Sequence, residues 1–323
     1  MTNFWYRLNL TLKGVEKMEN LLETRRASKS YGKQLALNNV SIHVRQGEIY
    51  GLIGKNGAGK STLFKVIMSL AQLDSGEISL YGETASDRLI GAQKNIGFMF
   101  GSQFFPYLTA RENLLYSCKL KGITDLKEVD RVLELVELTD ANKKVKSFSM
   151  GMKQRLNIGN ALLGNPDLIL MDEPINGLDP QGIASFRQII QRLNQEQNVT
   201  FLLSSHILGE LGLIGSRFGF IHEGELLQEI DRNELFAQTK DQLVIQVDQV
   251  GIATSLLEES IEEIDYFVNG DKEIVVNKPI EAADKMAKVL IDAGISLYKL
   301  SPHQQTLEDY YLSLIHQGGV AHV

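Results

Sequence analysis

Nine consecutive residues, Gly54-Lys55-Asn56-Gly57-Ala58-Gly59-Lys60-Ser61-Thr62, have the types and spacing to hold a string of phosphates. They fit the pattern G-x-x-x-x-G-K followed by Ser or Thr, at Gly54, Gly59, Lys60 and Ser61. Glycines let backbone N–H groups turn inward around phosphate oxygens, and a helix starting there adds about half a positive charge at its N-terminus. Lys60 would reach the terminal phosphates, and Ser61 would offer its hydroxyl to Mg²⁺. A loop that only made a tight turn would leave Lys60 and Ser61 unexplained.

A second constellation, Asp172-Glu173, ends the apolar run Leu168-Ile169-Leu170-Met171. A carboxylate at the C-terminal end of a buried parallel strand, beside a phosphate loop, is placed to hold Mg²⁺, and Asp172 takes that role. Glu173, next along, can polarise the water that attacks a γ-phosphate or take its proton. A third apolar run, Phe201-Leu202-Leu203, leads through Ser204 and Ser205 to His206, whose imidazole can donate to that phosphate or hold the water. The other five histidines have no motif around them.

These groups need elements to carry them. Ile49-Tyr50-Gly51-Leu52-Ile53 reads as a buried strand before the loop, and Leu63, Phe64, Val66, Ile67 and Leu70 give the following segment helical periodicity. Leu168–Met171 reads as a central strand buried on both faces. Between Gly101 and Phe148 the pattern is helical, with Val129, Val132, Leu133, Leu135, Val136 and Leu138 as a periodic stripe.

The chain has 323 residues, 43% hydrophobic and 23% charged, which predicts about two folded domains and excludes extended disorder. Cys118 is the single cysteine, so no intramolecular disulfide is possible, and it reads as a small apolar residue. No apolar run approaches the roughly 18–20 residues that cross a bilayer. The net charge of −7 is uneven: from Asp241 onward 14 acids face 5 bases, leaving +2 in the first 240 residues. An acidic tail repels phosphate backbones, which argues against nucleic acid as a partner.

A change of pattern near residue 230 marks a domain boundary, giving 18–230 and 231–323. Residues 1–17 have two readings: native chain, or an upstream extension before a start at Met18, because Lys13-Gly14-Val15-Glu16-Lys17 can be encoded by a purine-rich stretch like a bacterial ribosome-binding site. In the tail, strands at Leu243–Val247, Glu273–Val276 and Tyr298–Leu300 alternate with helices at Ile252–Glu259 and Ile280–Ala293. That order is read as a small α+β module, ferredoxin-like in type. A last helix starts at Thr306, with Asp309 completing an imperfect capping box.

Phe148-Ser149-Met150-Gly151-Met152-Lys153-Gln154-Arg155 lies between the phosphate loop and Asp172. With it, residues 22–225 strongly resemble the nucleotide-binding subunits of ABC transporters, in the form seen in bacitracin-efflux and lantibiotic-immunity exporters. Ser149 and Gly151 keep the signature's hydroxyl and one glycine, while Met150 and Met152 replace its glycine and glutamine. The resemblance implies a P-loop ABC ATPase core, α/β, with a RecA-like sheet, an antiparallel β subdomain and a helical signature subdomain. It implies ATP and Mg²⁺ as cofactors, and hydrolysis in a dimer that sandwiches nucleotide between this chain and a second nucleotide-binding subunit, identical or not. Ser149 would close on the γ-phosphate held by that partner. The dimer would drive a separate transmembrane permease from the cytoplasmic face of the membrane, exporting a drug or antimicrobial peptide. Tyr31, 23 residues before Gly54, matches the ring that stacks on adenine, and Asp179 matches the loop that couples the two sites.

One position departs from the family. Gly101 stands where a glutamine ligates Mg²⁺, and Gln103 follows two residues later, so either Gln103 supplies the ligand through a reshaped loop or the ligand is absent. The residues around Gln103 to Tyr107 are the expected permease contact. Two other readings stay open at this level: an ABC ATPase acting outside transport, and an ATP-sensing immunity module without turnover. The first lacks the paired cassettes or long coiled coils of such proteins; the second would follow if the altered loop abolished hydrolysis.

Overall fold

From its N-terminal side the chain runs β1 (Leu22–Tyr31), β2 (Gln34–Val40), β3 (His43–Val44), β4 (Ile49–Ile53), α1 (Lys60–Ile67), β5 (Ser75–Leu80), α2 (Ser86–Gln93) and β6 (Ile96–Met99). It continues through α3 (Ala110–Lys121), α4 (Lys127–Leu135), α5 (Met150–Leu162), β7 (Leu168–Met171), α6 (Pro180–Gln197), β8 (Thr200–Ser205), α7 (Leu208–Ile214), β9 (Arg217–His222) and β10 (Glu225–Asp231). The computed structural model describes residues 20–84, 86–99, 101, 104–138, 143–238, 241–304 and 306–318. The segment 1–17 and Gln103 lie outside the described residues. The chain divides between Arg232 and Asn233 into two units.

In the first unit the apolar runs form one six-stranded sheet in the order β10-β9-β4-β8-β7-β6, parallel except for β10. Every residue of β4, β7 and β8 is buried, as strands covered on both faces must be. The order matters for the site. β8 pairs with β4 on one side and with β7 on the other, so the loop after β4, the acids after β7 and the histidine after β8 leave the sheet side by side. A second, antiparallel sheet forms as β1 pairs with β2, β3 and β5. Leu22, Leu37 and Val40 from that sheet share a core with Leu52, Leu63, Phe64, Leu168 and Leu170. Truncating a fully buried ring such as Phe64 costs about 3–5 kcal/mol.

The helical stretch is α3 and α4. Thr109 and Glu112 close a reciprocal capping box at the start of α3, and Gly122 ends it in the left-handed conformation. Val129, Val132 and Leu133 of the predicted stripe are buried. Cys118 is buried in α3, where burial pushes its thiol pKa up.

The second unit begins within α8 (Arg232–Gln238) and contains β11 (Asp241–Val247), α9 (Val250–Ser260), β12 (Asp265–Asn269), β13 (Glu273–Lys278), α10 (Ala283–Asp292), β14 (Leu297–Gln304) and α11 (Leu307–Gly318). Its sheet order is β12-β13-β11-β14, antiparallel throughout, the ferredoxin-like arrangement. Ile245, Ile274 and Val276 pack with Leu257, Met286 and Leu290. β12 is the strand that the sequence reading does not contain. It is an edge strand, four of its five residues are exposed, and Asp265 and Asn269 at its ends are poor strand formers. Thr306 and Asp309 do bond reciprocally at the start of α11. No helix among the described residues is long and apolar enough to cross a membrane.

Candidate functional site

The phosphate loop owes its path to two glycines. A Cβ on Gly54 would meet the carbonyl oxygen of Ile221 at 2.4 Å, and Gly59 has φ +109 with the Ala36 carbonyl 2.6 Å from where its Cβ would be. No other residue type fits either place. The helix that follows, α1, has no side-chain cap and no acid in its first turn, so its N-terminal N–H groups and dipole are left to the loop's interior. Ala58 is buried, whereas Lys55, Asn56, Gly57 and Ser61 are exposed.

Lys60 opens α1 yet is only 5% exposed. Its Nζ donates to the carbonyls of Gly54 at 2.6 Å and Lys55 at 3.1 Å, and pairs with Glu173 Oε1 at 3.0 Å. A buried ammonium requires such partners. Ser61 Oγ donates to Asp172 Oδ2 at 2.6 Å. The other oxygen of that carboxylate accepts from Ser204 Oγ at 2.7 Å, and the same hydroxyl accepts from the Glu173 N–H at 2.8 Å. His206 Nδ1 lies 2.8 Å from Glu173 Oε2. Glu173 has φ +49, a left-handed conformation that L residues adopt at a cost and that clusters at functional sites. That turn aims its carboxylate between Lys60 and His206.

The structure therefore brings Lys60, Ser61, Asp172, Glu173 and His206 into one bonded set. Ser149, Gly151 and Asp179 belong to a second place in the same unit, where they line a cavity of about 490 Å³. Two helix starts meet there. Ser149 caps α5 by accepting from the Met152 N–H at 3.2 Å, and Asp179 caps α6 by accepting from the Gly182 N–H at 2.9 Å, with Pro180 next in line. Neither helix has an acid in its first turn. Met150 and Met152 also line the cavity, and Met150 is 54% exposed. Tyr31 ends β1 with its ring 48% exposed and Lys29 Nζ 5.6 Å from the ring centroid. Gly101 is described, with φ +63.

Sequence reasoning missed two contributors. Ser204 joins both acids, and the available signal was a polar residue in an otherwise apolar strand just before His206. Gln154, one turn beyond Gly151, donates to the carbonyl of Pro174, the residue after Glu173, and so links the two places.

A family model described as ABC transporter matches residues 37–176. The bacitracin transport ATP-binding protein BcrA of Bacillus licheniformis is 39% identical over 305 residues, covering 94% of this chain and 100% of that protein. The lantibiotic transport ATP-binding protein SrtF of Streptococcus pyogenes is 38% identical over 211 residues, or 65% of this chain and 90% of its own. Among solved structures, a dimeric ATP-binding cassette in a post-hydrolysis state bound to ADP and Pi superposes with a TM-score of 0.58 at 28% identity, covering 65% of this chain and 98% of that one. A nucleotide-free cassette from an ABC transporter gives 0.59 at 26%, covering 65% and 91%. The family and fold class read from the signature are thus found: this chain belongs to the ABC transporter family.

Proposed function

We propose that the chain is the ATP-binding, ATP-hydrolysing subunit of an exporter whose permease is a separate protein, and that the cargo is an antimicrobial peptide or similar drug. The observation that carries the hydrolysis reading is the convergence of Lys60, Ser61, Asp172, Glu173 and His206 at the ends of three adjacent strands. The names of BcrA and SrtF support the class of cargo.

Lys60 and the loop N–H groups from Gly54 to Thr62 would hold the β- and γ-phosphates. To do so Lys60 must exchange Glu173 for phosphate, which leaves Glu173 held by His206 and free to take a proton from water. Ser61 and Asp172, two oxygen donors already 2.6 Å apart, suit a hard divalent cation. Bound Mg²⁺ would neutralise charge on the phosphate oxygens. Gln103 is the further ligand the sequence offers, and Tyr31 offers its exposed ring to adenine.

Ser149, Gly151 and Asp179 would face nucleotide held by a second cassette, identical or not. Phe105 packs against Tyr107 and edge-on against Tyr116, and Tyr107 is 59% exposed, so this aromatic patch is our candidate for the permease contact. The chain would then work as a peripheral protein on the cytoplasmic face of the membrane. Phosphate release by the purified chain, with and without its co-purified membrane protein, tests the reading. Glu173→Gln should retain ATP and slow hydrolysis by roughly 10²–10⁴; unchanged turnover would overturn the assignment.

A further inference from the structure

We propose that Ser204 is a positioning residue of the hydrolysis site, one hydroxyl that sets the direction of both acids; this rests on the reading of Asp172 and Glu173 just given. Ser204 is fully buried in β8 behind Phe201, Leu202 and Leu203, which are fully buried too. A hydroxyl in such surroundings is costly unless it is bonded. It carries one hydrogen and can accept through its lone pairs. The hydrogen goes to Asp172 Oδ1 at 2.7 Å, and a lone pair receives the Glu173 N–H at 2.8 Å. Both partners lie in the turn directly after β7, so the hydroxyl ties the end of β8 to that turn beyond the last backbone pairing, Met171 with Leu203.

The bond to Asp172 is charge-assisted and fixes the rotation of the carboxylate. The second hydroxyl on that carboxylate, Ser61, is itself a proposed Mg²⁺ ligand, so its oxygen must serve the cation as well as donate to Asp172. Ser204 has no such competing duty and keeps Asp172 aimed. The bond to the Glu173 N–H holds a residue whose φ of +49 is unfavourable and whose carboxylate must point between Lys60 and His206. Ser205, equally buried, cannot substitute. Its hydroxyl accepts from the Ile207 N–H at 2.9 Å and serves only the turn that follows β8.

The test uses the full chain with Mn²⁺ in place of Mg²⁺ and saturating ADP, with free Mn²⁺ read by electron paramagnetic resonance. Ser204→Ala should raise the Mn²⁺ dissociation constant by about tenfold to a hundredfold and lower kcat by a similar factor, while KM for ATP stays within about threefold. Ser204→Thr, which restores the hydroxyl, should recover most of both. Should the alanine variant not fold, Ser204→Cys keeps the shape with a weaker donor and should shift the same two quantities. Thermal destabilisation alone, with Mn²⁺ affinity and kcat at wild-type values, would show that Ser204 merely fills space and would overturn the proposal. Glu173→Gln run in parallel separates the two levels. If it is inactive while the Ser204 variants are normal, only the role of Ser204 falls; if it turns over normally, the reading of the site itself falls.

Discussion

The two places that the signature and the phosphate loop mark out in this chain are built in opposite ways. Around Lys60 every charged group already has a partner from the same chain: ammonium with carboxylate, carboxylate with two hydroxyls, carboxylate with imidazole. Around Ser149 the two capping side chains serve their own helices, Gln154 and Arg155 bond to neighbouring segments, and what remains is an opening of about 490 Å³ at two helix starts, with an exposed methionine at its edge. Under the reading proposed above, the first arrangement would take up phosphates by letting them displace these internal pairs. The second places two helix starts, each capped by one side chain of its own, at an open cavity, and under the same reading that cavity would face nucleotide held by a second cassette.

That contrast can be broken by substitution. Lys60→Ala should have the largest effect: loss of the ammonium removes a donor worth roughly 10²–10³ in rate, and it should also abolish nucleotide binding, as read by equilibrium dialysis of labelled ATP at millimolar Mg²⁺. Gly151→Asp should come next. A Cβ there meets nothing closer than Ser149 Oγ at 4.0 Å, so the fold is kept, but the carboxylate would repel an anion at the start of α5. The isolated chain should still bind ATP with wild-type affinity while phosphate release falls by at least about tenfold. A loss of binding by the chain alone would erase the distinction between the two places. Asp179→Ala should be mildest, lowering stability by about 1 kcal/mol through loss of a helix cap, visible as a reduced melting temperature with ATP affinity unchanged.

Much of this is legible in the amino-acid order alone. The loop from Gly54 to Thr62 and the pair Asp172-Glu173 are contiguous, and their chemistry depends on local order: a strand, a turn, a helix start. The ferredoxin-like order of the tail was also within reach, although β12 was not, because an exposed edge strand loses the alternation that marks half-buried ones. What the sequence withheld depends on which strands become neighbours. Nothing local to Ser204 says that β8 will lie between β4 and β7, and without that order its hydroxyl has no partners to name. The same holds for the turn at Glu173, whose left-handed backbone is imposed by contacts from two other elements. Tyr31 and Asp179 were located by likeness to the family, and their bonding here, to Lys29 and to the Gly182 N–H, adds local reasons for their places.

The amide of Gln154, reaching from α5 to the Pro174 carbonyl, adds a second link between two places that the short turn from Glu173 to Asp179 already joins. If the peptide after Glu173 shifts, the second turn of α5 must shift with it or surrender that bond. A displacement in the turn after Glu173 would thus be felt one side chain away, on the helix that Ser149 caps, with no rearrangement of the sheet needed to carry it.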